Sequence, residues 1–343
     1  MNRDFTELNN QSIINQSLFV MQTEMKTIAF GRYSLLTGIL CCFLSACGGG
    51  GGNGGGIPDT DPTPEVTTGD VTFTPDWGSL PASSALRFHF YPATGAVVTK
   101  DGDAAGCKAT LEHGTYRVLA YNTDATGVTY EHIDSYDQAT VQVTPVSTRA
   151  LLVINQPSKV YALSQEGLSV EKGGAITPKA TVRALVKPLK LNLSISNAST
   201  MRELKGSLNG LLPSVLLATG KPSAAAVSAA PLTNTRFDIN LLSKSALVEL
   251  SSLGMLDPAN GSAYACELTL YITDRDGLSL TTTVDMNQAI TSILAANGGV
   301  LPDDTSAEVD LELKVDENQY GLTFTATITD WVVGSDTSFE LTN

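Results

Sequence analysis

Three histidines and a few carboxylate pairs are the side chains whose types suit acid–base or metal chemistry. His89, His113 and His132 are scattered along the chain. His89 falls on the polar side of an alternating strand pattern, and His113 precedes Gly114 in a turn. Solvated or turn histidines are the expectation. Asp101/Asp103 and Asp274/Asp276 sit beside glycine. Aspartate favours turns because its side chain bonds backbone two residues on. A calcium loop would need the EF-hand spacing, which is missing. No G-x-S-x-G elbow offers a nucleophile. The five cysteines, Cys41, Cys42, Cys47, Cys107 and Cys266, form no C-x-x-C and no Cys/His set at zinc spacing. The sequence therefore reads as a non-enzyme, with no catalytic, cofactor or metal site and no cofactor.

One cysteine stands in a different setting. LSACGGGGGNGGG runs from Leu44 to Gly56, with Cys47 between an apolar run and a glycine tract. Lys26 and Arg32 flank an apolar core from Tyr33 to Ala46. That core is too short to stay in a bilayer as a spanning helix. Its length and flank fit a secretory signal. Met25 opens a normal signal n-region, so residues 1–24 read as an extension ahead of the true start. Leu44-Ser45-Ala46-Cys47 resembles the bacterial lipobox, in which the cysteine is acylated and becomes the mature N-terminus. Each buried CH₂ contributes about 0.8 kcal/mol, so several acyl chains hold where one does not.

The expected organisation is a signal segment over 1–46, a lipidated cysteine and flexible Gly/Pro tether over 47–69, and two folded domains, 70–180 and 181–343. About twenty Gly-rich residues reach roughly 25 Å. Such a tether lifts a folded body off a membrane. The glycines carry no GK[ST] and are no phosphate loop. A formal charge of −14 disfavours nucleic acid and anionic lipid surfaces.

From residue 70 apolar residues recur every second position, as in Leu86, Phe88, Phe90 and in Tyr116, Val118, Ala120. Further strands read at 139–144, 149–155, 181–196, 246–251, 264–273, 278–284, 307–315 and 321–333. Turns are expected at Asp101-Gly102, Asp124–Gly127, Asp274–Gly277 and Asn297–Gly299. This is the pattern of antiparallel β-sandwiches. One helix interrupts it. Asp285 precedes MNQAITSILAAN with Gln288 three residues on, a loose capping box, and Gly298 ends it. Ala224–Ala230, fenced by Pro222 and Pro231, reads as helix or loop. Trp77 and Trp331 suit core or sheet-edge packing better than sugar stacking. Cys107 and Cys266 read as unpaired, partly buried thiols, with a disulfide between them as the alternative.

Several stretches converge on one family. They are TPDWGSLPASSALRFHFYPATG (Thr74–Gly95), LEHGTYRVLAYNTDATGVTY (Leu111–Tyr130), QPSKVYALSQEGLSV (Gln156–Val170), the V-D-M-N-Q-A-I helix and the final I-T-D-W. Together they resemble the fimbrillin-associated lipoproteins of Bacteroidota, the subunit and anchor proteins of type V fimbriae. The resemblance covers nearly all of residues 70–343. It implies two tandem transthyretin-like β-sandwich domains with one short helix in the second. It also implies a lipid-anchored place at the cell outer membrane, and partners that are other fimbrial subunits joined by β-strand addition. In polymerising members an Arg-specific protease removes the N-terminal stretch. Here no Arg or Lys lies between Cys47 and Arg87, which favours a retained anchor or minor subunit. Surface-exported lipoproteins of the phylum often carry acids just after the cysteine, whereas the first here is Asp59. A surface adhesin with a host or glycan ligand on the same scaffold is the alternative.

Overall fold

The computed structural model describes residues 67–147, 152–230, 233–241, 244–259, 264–303, 307–318, 321–333 and 338–340. The signal segment, Cys47 and the tether up to residue 66 lie outside the described residues. Strands are numbered in chain order. The first sheet is built on β1 (Thr68–Asp76), which pairs antiparallel with β4 (Cys107–Glu112) and parallel with β11 (Ala175–Ile176) and β12 (Lys179–Thr181). The second runs β13 (Arg183–Ala184), β10 (Tyr161–Val170), β5 (Gly114–Asn122), β2 (Leu86–Pro92), β3 (Val98–Gly102). A small third sheet runs β16 (Ser214–Leu216), β7 (Thr140–Val143), β6 (Val128–Glu131). The fourth runs β20 (Ser279–Asp285), β19 (Glu267–Asp274), β15 (Met201–Asn209), β17 (Thr233–Ile239), β9 (Leu152–Ile154), β8 (Pro145–Ser147). The fifth runs β18 (Ser245–Ser252), β14 (Lys187–Ile195), β21 (Ala307–Asn318), β22 (Gly321–Val333), β23 (Ser338–Glu340). The chain is thus mainly β, built from packed sheets, and helix-poor.

Period-two alternation decides which face each strand buries. Leu86, Phe88 and Phe90 of β2 pack with Phe73, Val118 and Leu163 in one core. The opposite face of the same sheet is buried too. Leu119 and Tyr121 of β5 and Tyr91 of β2 join a second, larger core with Val141 and Tyr136. His89 is therefore buried at 3% exposure, not solvated as its alternation suggested. An apolar/polar alternation marks one covered face, but here two aromatic residues and a histidine make the second face fit to cover as well.

The larger core lies between the fourth and fifth sheets and includes the helix Asn287–Ala296. Ala289, Ile290, Ile293 and Leu294 all point inward from it. Its N-cap is Met286, without a side-chain cap bond. Asp285 instead accepts from the Asn287 N–H at 2.8 Å, so the capping box does not form. Gly298 is left-handed at φ 68° and Gly299 N–H returns to the Leu294 carbonyl at 2.7 Å, closing the C-terminus. A second helix, Ala224–Ala229, forms between the two prolines, capped by Ser223 Oγ accepting from Ala226 N–H. The chain turns between β3 and β4 at Asp103–Gly106, two residues beyond the expected Asp101-Gly102, with both backbone bonds of the turn made.

Strands early in the chain pair with strands late in it. β7 pairs antiparallel with β16, and β9 pairs parallel with β17. Beside this exchange the Arg183 guanidinium donates to the Ala218 carbonyl at 2.6 Å and to the Leu217 carbonyl at 3.2 Å. Ser164 Oγ donates to the same Ala218 oxygen at 2.8 Å. Arg183→Met should cost about 2 kcal/mol, the scale of a lost charge-assisted hydrogen bond. Urea unfolding of the full chain checks this, and an unchanged midpoint would contradict it.

Candidate functional site

The N-terminal strand β1 is the first described element. β1 begins at Thr68, right after the glycine, proline and acid-rich stretch. Its even-numbered residues face the segment 173–182. Gly173 donates to Thr68, Asp70 to Gly174, Thr74 to Pro178, and Val182 to Asp76. β4 takes the other edge, in register from Thr68↔Glu112 to Phe73↔Cys107. β1 is therefore held on both sides. Val71 and Phe73 turn into the core at 1% and 0% exposure, and the Phe73 and Phe88 rings meet at 5.6 Å. The turn before β4 closes tightly on this strand. Gly106 has φ +113°, and a Cβ there would sit 1.8 Å from the Phe73 carbonyl oxygen. Only glycine fits that contact.

Charges at the end of β1 fix its exit. Lys179 pairs with Asp76 at 3.1 Å, and Asp76 also accepts from the Gly78 N–H. These bonds hold the Asp76 carboxyl below the usual carboxylate range. Trp77 follows, half-buried, its indole N–H donating to the Ala104 carbonyl at 2.9 Å and its ring edge-on to Tyr161. Trp331 is buried in β22. Both tryptophans thus pack.

The motif residues resolve into joints. Asn122 donates to Asp124 Oδ1 at 2.6 Å and to the Lys159 carbonyl at 3.1 Å, while its own oxygen accepts from Tyr161 N–H at 2.7 Å. Asp124 also accepts from Ser83 Oγ. One asparagine and one aspartate tie the ends of β5 and β10 to the loop before β2. Tyr130 OH reaches the Asn122 carbonyl at 2.6 Å, and its ring stacks on Tyr121 at 4.1 Å.

None of the sequence-singled titratable groups comes together as a reaction centre. His89 contacts Tyr121 OH at 3.3 Å and Thr99 Oγ1 at 3.1 Å, with no carboxylate in hydrogen-bond reach. Burial, with the Arg87 charge adding to it, pushes His89 down to about 4. His113 and His132 are exposed. Asp101 pairs with Arg87 at 2.8 Å, and Asp103 and Asp274 accept turn N–H groups. Cys107 and Cys266 are buried and unpaired, each in a different core. Burial pushes their thiols up to about 11 and about 12, so neither is a ready nucleophile. No group of three metal-ligating side chains occurs among the described residues. No helix among them is long and apolar enough to cross a membrane.

Residues 63–230 match the profile of a family described as a domain of unknown function (DUF5119). No curated protein matches the sequence. Among solved structures, a candidate adhesin from Bacteroides ovatus ATCC 8483 superposes with TM-score 0.53 at 17% identity, over 78% of this chain and 95% of that one. A candidate polysaccharide-binding protein from Bacteroides thetaiotaomicron VPI-5482 gives TM-score 0.49 at 10% identity, over 80% and 97%. The fimbrial anchor protein Mfa2 from Porphyromonas gingivalis gives 0.47 at 10%, over 77% and 96%. The first likeness places the chain in the fold class of that β-sandwich protein.

Two outcomes test this geometry. Phe73→Ala should cost about 3–5 kcal/mol, as for other buried aromatics. A loss under 1 kcal/mol in urea unfolding would show that β1 is not part of the core. For His89 the folded value lies below the ordinary value of about 6.5. The unfolded chain then takes up a proton the native one refuses, so stability is full above about 6.5 and falls as pH drops toward 4. Between pH 7 and pH 5 this amounts to on the order of 2 kcal/mol. Replacing His89 by Gln should flatten the slope in that window, and an unaltered slope would contradict the assignment.

Proposed function

We propose that this chain is a structural component of a cell-surface fimbrial system, a membrane-retained anchor or minor subunit held by acylated Cys47. The observation that carries the reading is the position of β1. A load on Cys47 passes through the tether into a strand hydrogen-bonded along both edges. Pulling along that strand loads its ladder bonds together rather than one at a time, which suits a part that must not peel away. An edge strand in the same place would unzip.

The tether's composition supports retention. The first basic residue after Cys47 is Arg87. It lies within β2, half-buried and paired with Asp101. A trypsin-like or Arg-specific protease meets no accessible site ahead of it. In this reading β1 stays with the chain, and partner subunits add strands at other sheet edges. A division of the folded part near residue 180 goes with the proposal. The carboxylate and histidine placements support a non-enzymatic role.

Cys47→Ala in the full chain tests the anchor. The account expects the protein to leave the outer-membrane fraction for the soluble or secreted one while keeping its thermal midpoint. Persistence of the Cys47→Ala chain in the membrane fraction would overturn lipid anchoring.

A further inference from the structure

The fourth sheet places a row of polar, charged and aromatic residues across four strands. Register places Thr281, Tyr271, Lys205 and Asp238 in one row across β20, β19, β15 and β17. The adjacent row is Thr283, Thr269, Ser207 and Arg236. Side chains directly opposite on one face are neighbours. A shallow concavity of about 360 Å³ opens there, lined by Lys205, Gly206, Arg236, Phe237, Asp238 and Tyr271. Tyr271 is an exposed aromatic, at 42%.

The charges around it are unevenly spent. Lys205 sits 2.8 Å from Glu203 and 4.0 Å from Asp238, so those carboxylates share one ammonium. Arg236 is exposed and has no ion-pair partner among the described residues. An exposed guanidinium and an exposed aromatic ring thus line the same concavity. A guanidinium fork matches a carboxylate bidentately. An aromatic face carries partial negative charge that favours the polarised C–H face of a sugar ring. Asp238 and the Thr281 hydroxyl supply acceptors and a donor for ring hydroxyls.

We propose that this concavity binds an acidic pyranoside, a glycan residue bearing a carboxylate, with its ring on Tyr271 and its carboxylate on Arg236. The concavity is built from β15, β17 and β19 and not from β1, so it adds a ligand to the proposed structural role without resting on it.

The full chain in detergent is titrated calorimetrically with sialyllactose and an oligogalacturonate, and with lactose as the neutral control. The expected result is binding of at least one acidic probe, weaker at high salt, with lactose binding at least about tenfold more weakly. Tyr271→Ala and Arg236→Gln should each weaken the acidic probe about tenfold or more, the scale of one charge-assisted contact. Both side chains are exposed, so thermal midpoints should not move. Leu247→Ala, at the exposed leucine of β18, should bind as the parent does. Binding of neither acidic probe overturns the proposal, as does equal binding of lactose or parent-like binding by Tyr271→Ala and Arg236→Gln. Membrane attachment of the same variants is read separately, so failure here leaves the anchor reading where it stands.

Discussion

Leu152 pairs with Thr233, Val153 with Asn234 and Ile154 with Thr235, and on this short parallel ladder the arrangement of the sheets depends. It brings β8 and β9 into a sheet otherwise built from residues beyond 200. A few residues earlier, β7 docks β16 from the same late segment, and Leu217 N–H reaches the Ala139 carbonyl at 2.8 Å. Thr140–Gln142 and Leu152–Ile154 are thus held by partners some 70 to 80 residues downstream. Thr235 lies 2% exposed between those neighbours, and its hydroxyl donates to the Ile154 carbonyl. Unpaired, these backbone groups would be buried without partners, which costs far more than the bonds themselves contribute. The pairing is therefore obligatory once the layers close.

That closure explains the aromatic seam of the second sheet. Tyr91, Tyr121 and Tyr136 fill the space between β2/β5 and the β6–β7 layer, with the Arg117 guanidinium over the Tyr136 ring at 4.4 Å. Tyr91 OH donates to the Ile133 carbonyl at 2.7 Å, and Tyr121 OH meets the His89 ring at 3.3 Å. His89 belongs to the same seam, and burial there pushes it down to about 4. The outcome is a stiff body with its first strand locked in the middle of a sheet. Such a body, on a long Gly-rich lead, has the mechanical form proposed for an anchor. Its other exposed edges, and the face bearing Tyr271, are where partners and ligands are proposed to meet it.

Much of this was legible locally. Alternation placed the strands from β18 to β22 within a few residues, because each has one apolar face and clear turn chemistry at its ends, whereas β15, β16 and β17 were not expected. The helix Asn287–Ala296 was visible from Ile290, Ile293 and Leu294 and from Gly298 beyond them. The start of that helix was misread, since Asp285 bonds the neighbouring Asn287 N–H and leaves Met286 to cap. His89 was misread because local alternation shows that a residue faces away from one core, and says nothing of a second layer behind it. The cross-pairing of β9 with β17 left no local trace. Its register is set by burial between distant segments. The Tyr271 concavity was missed for a related reason: its residues come from three strands, and none forms a motif in its own strand. Cys47 rests on sequence alone.

The measurement that bears most directly on the structural role uses outer membranes from cells making the full chain with a C-terminal tag. Samples are run unboiled and boiled on denaturing gels and blotted for the tag. The account predicts a ladder or high-mass band in the unboiled lane that collapses to monomer on boiling, because strand-paired subunits resist detergent until heated. A single monomer band in both lanes would contradict it.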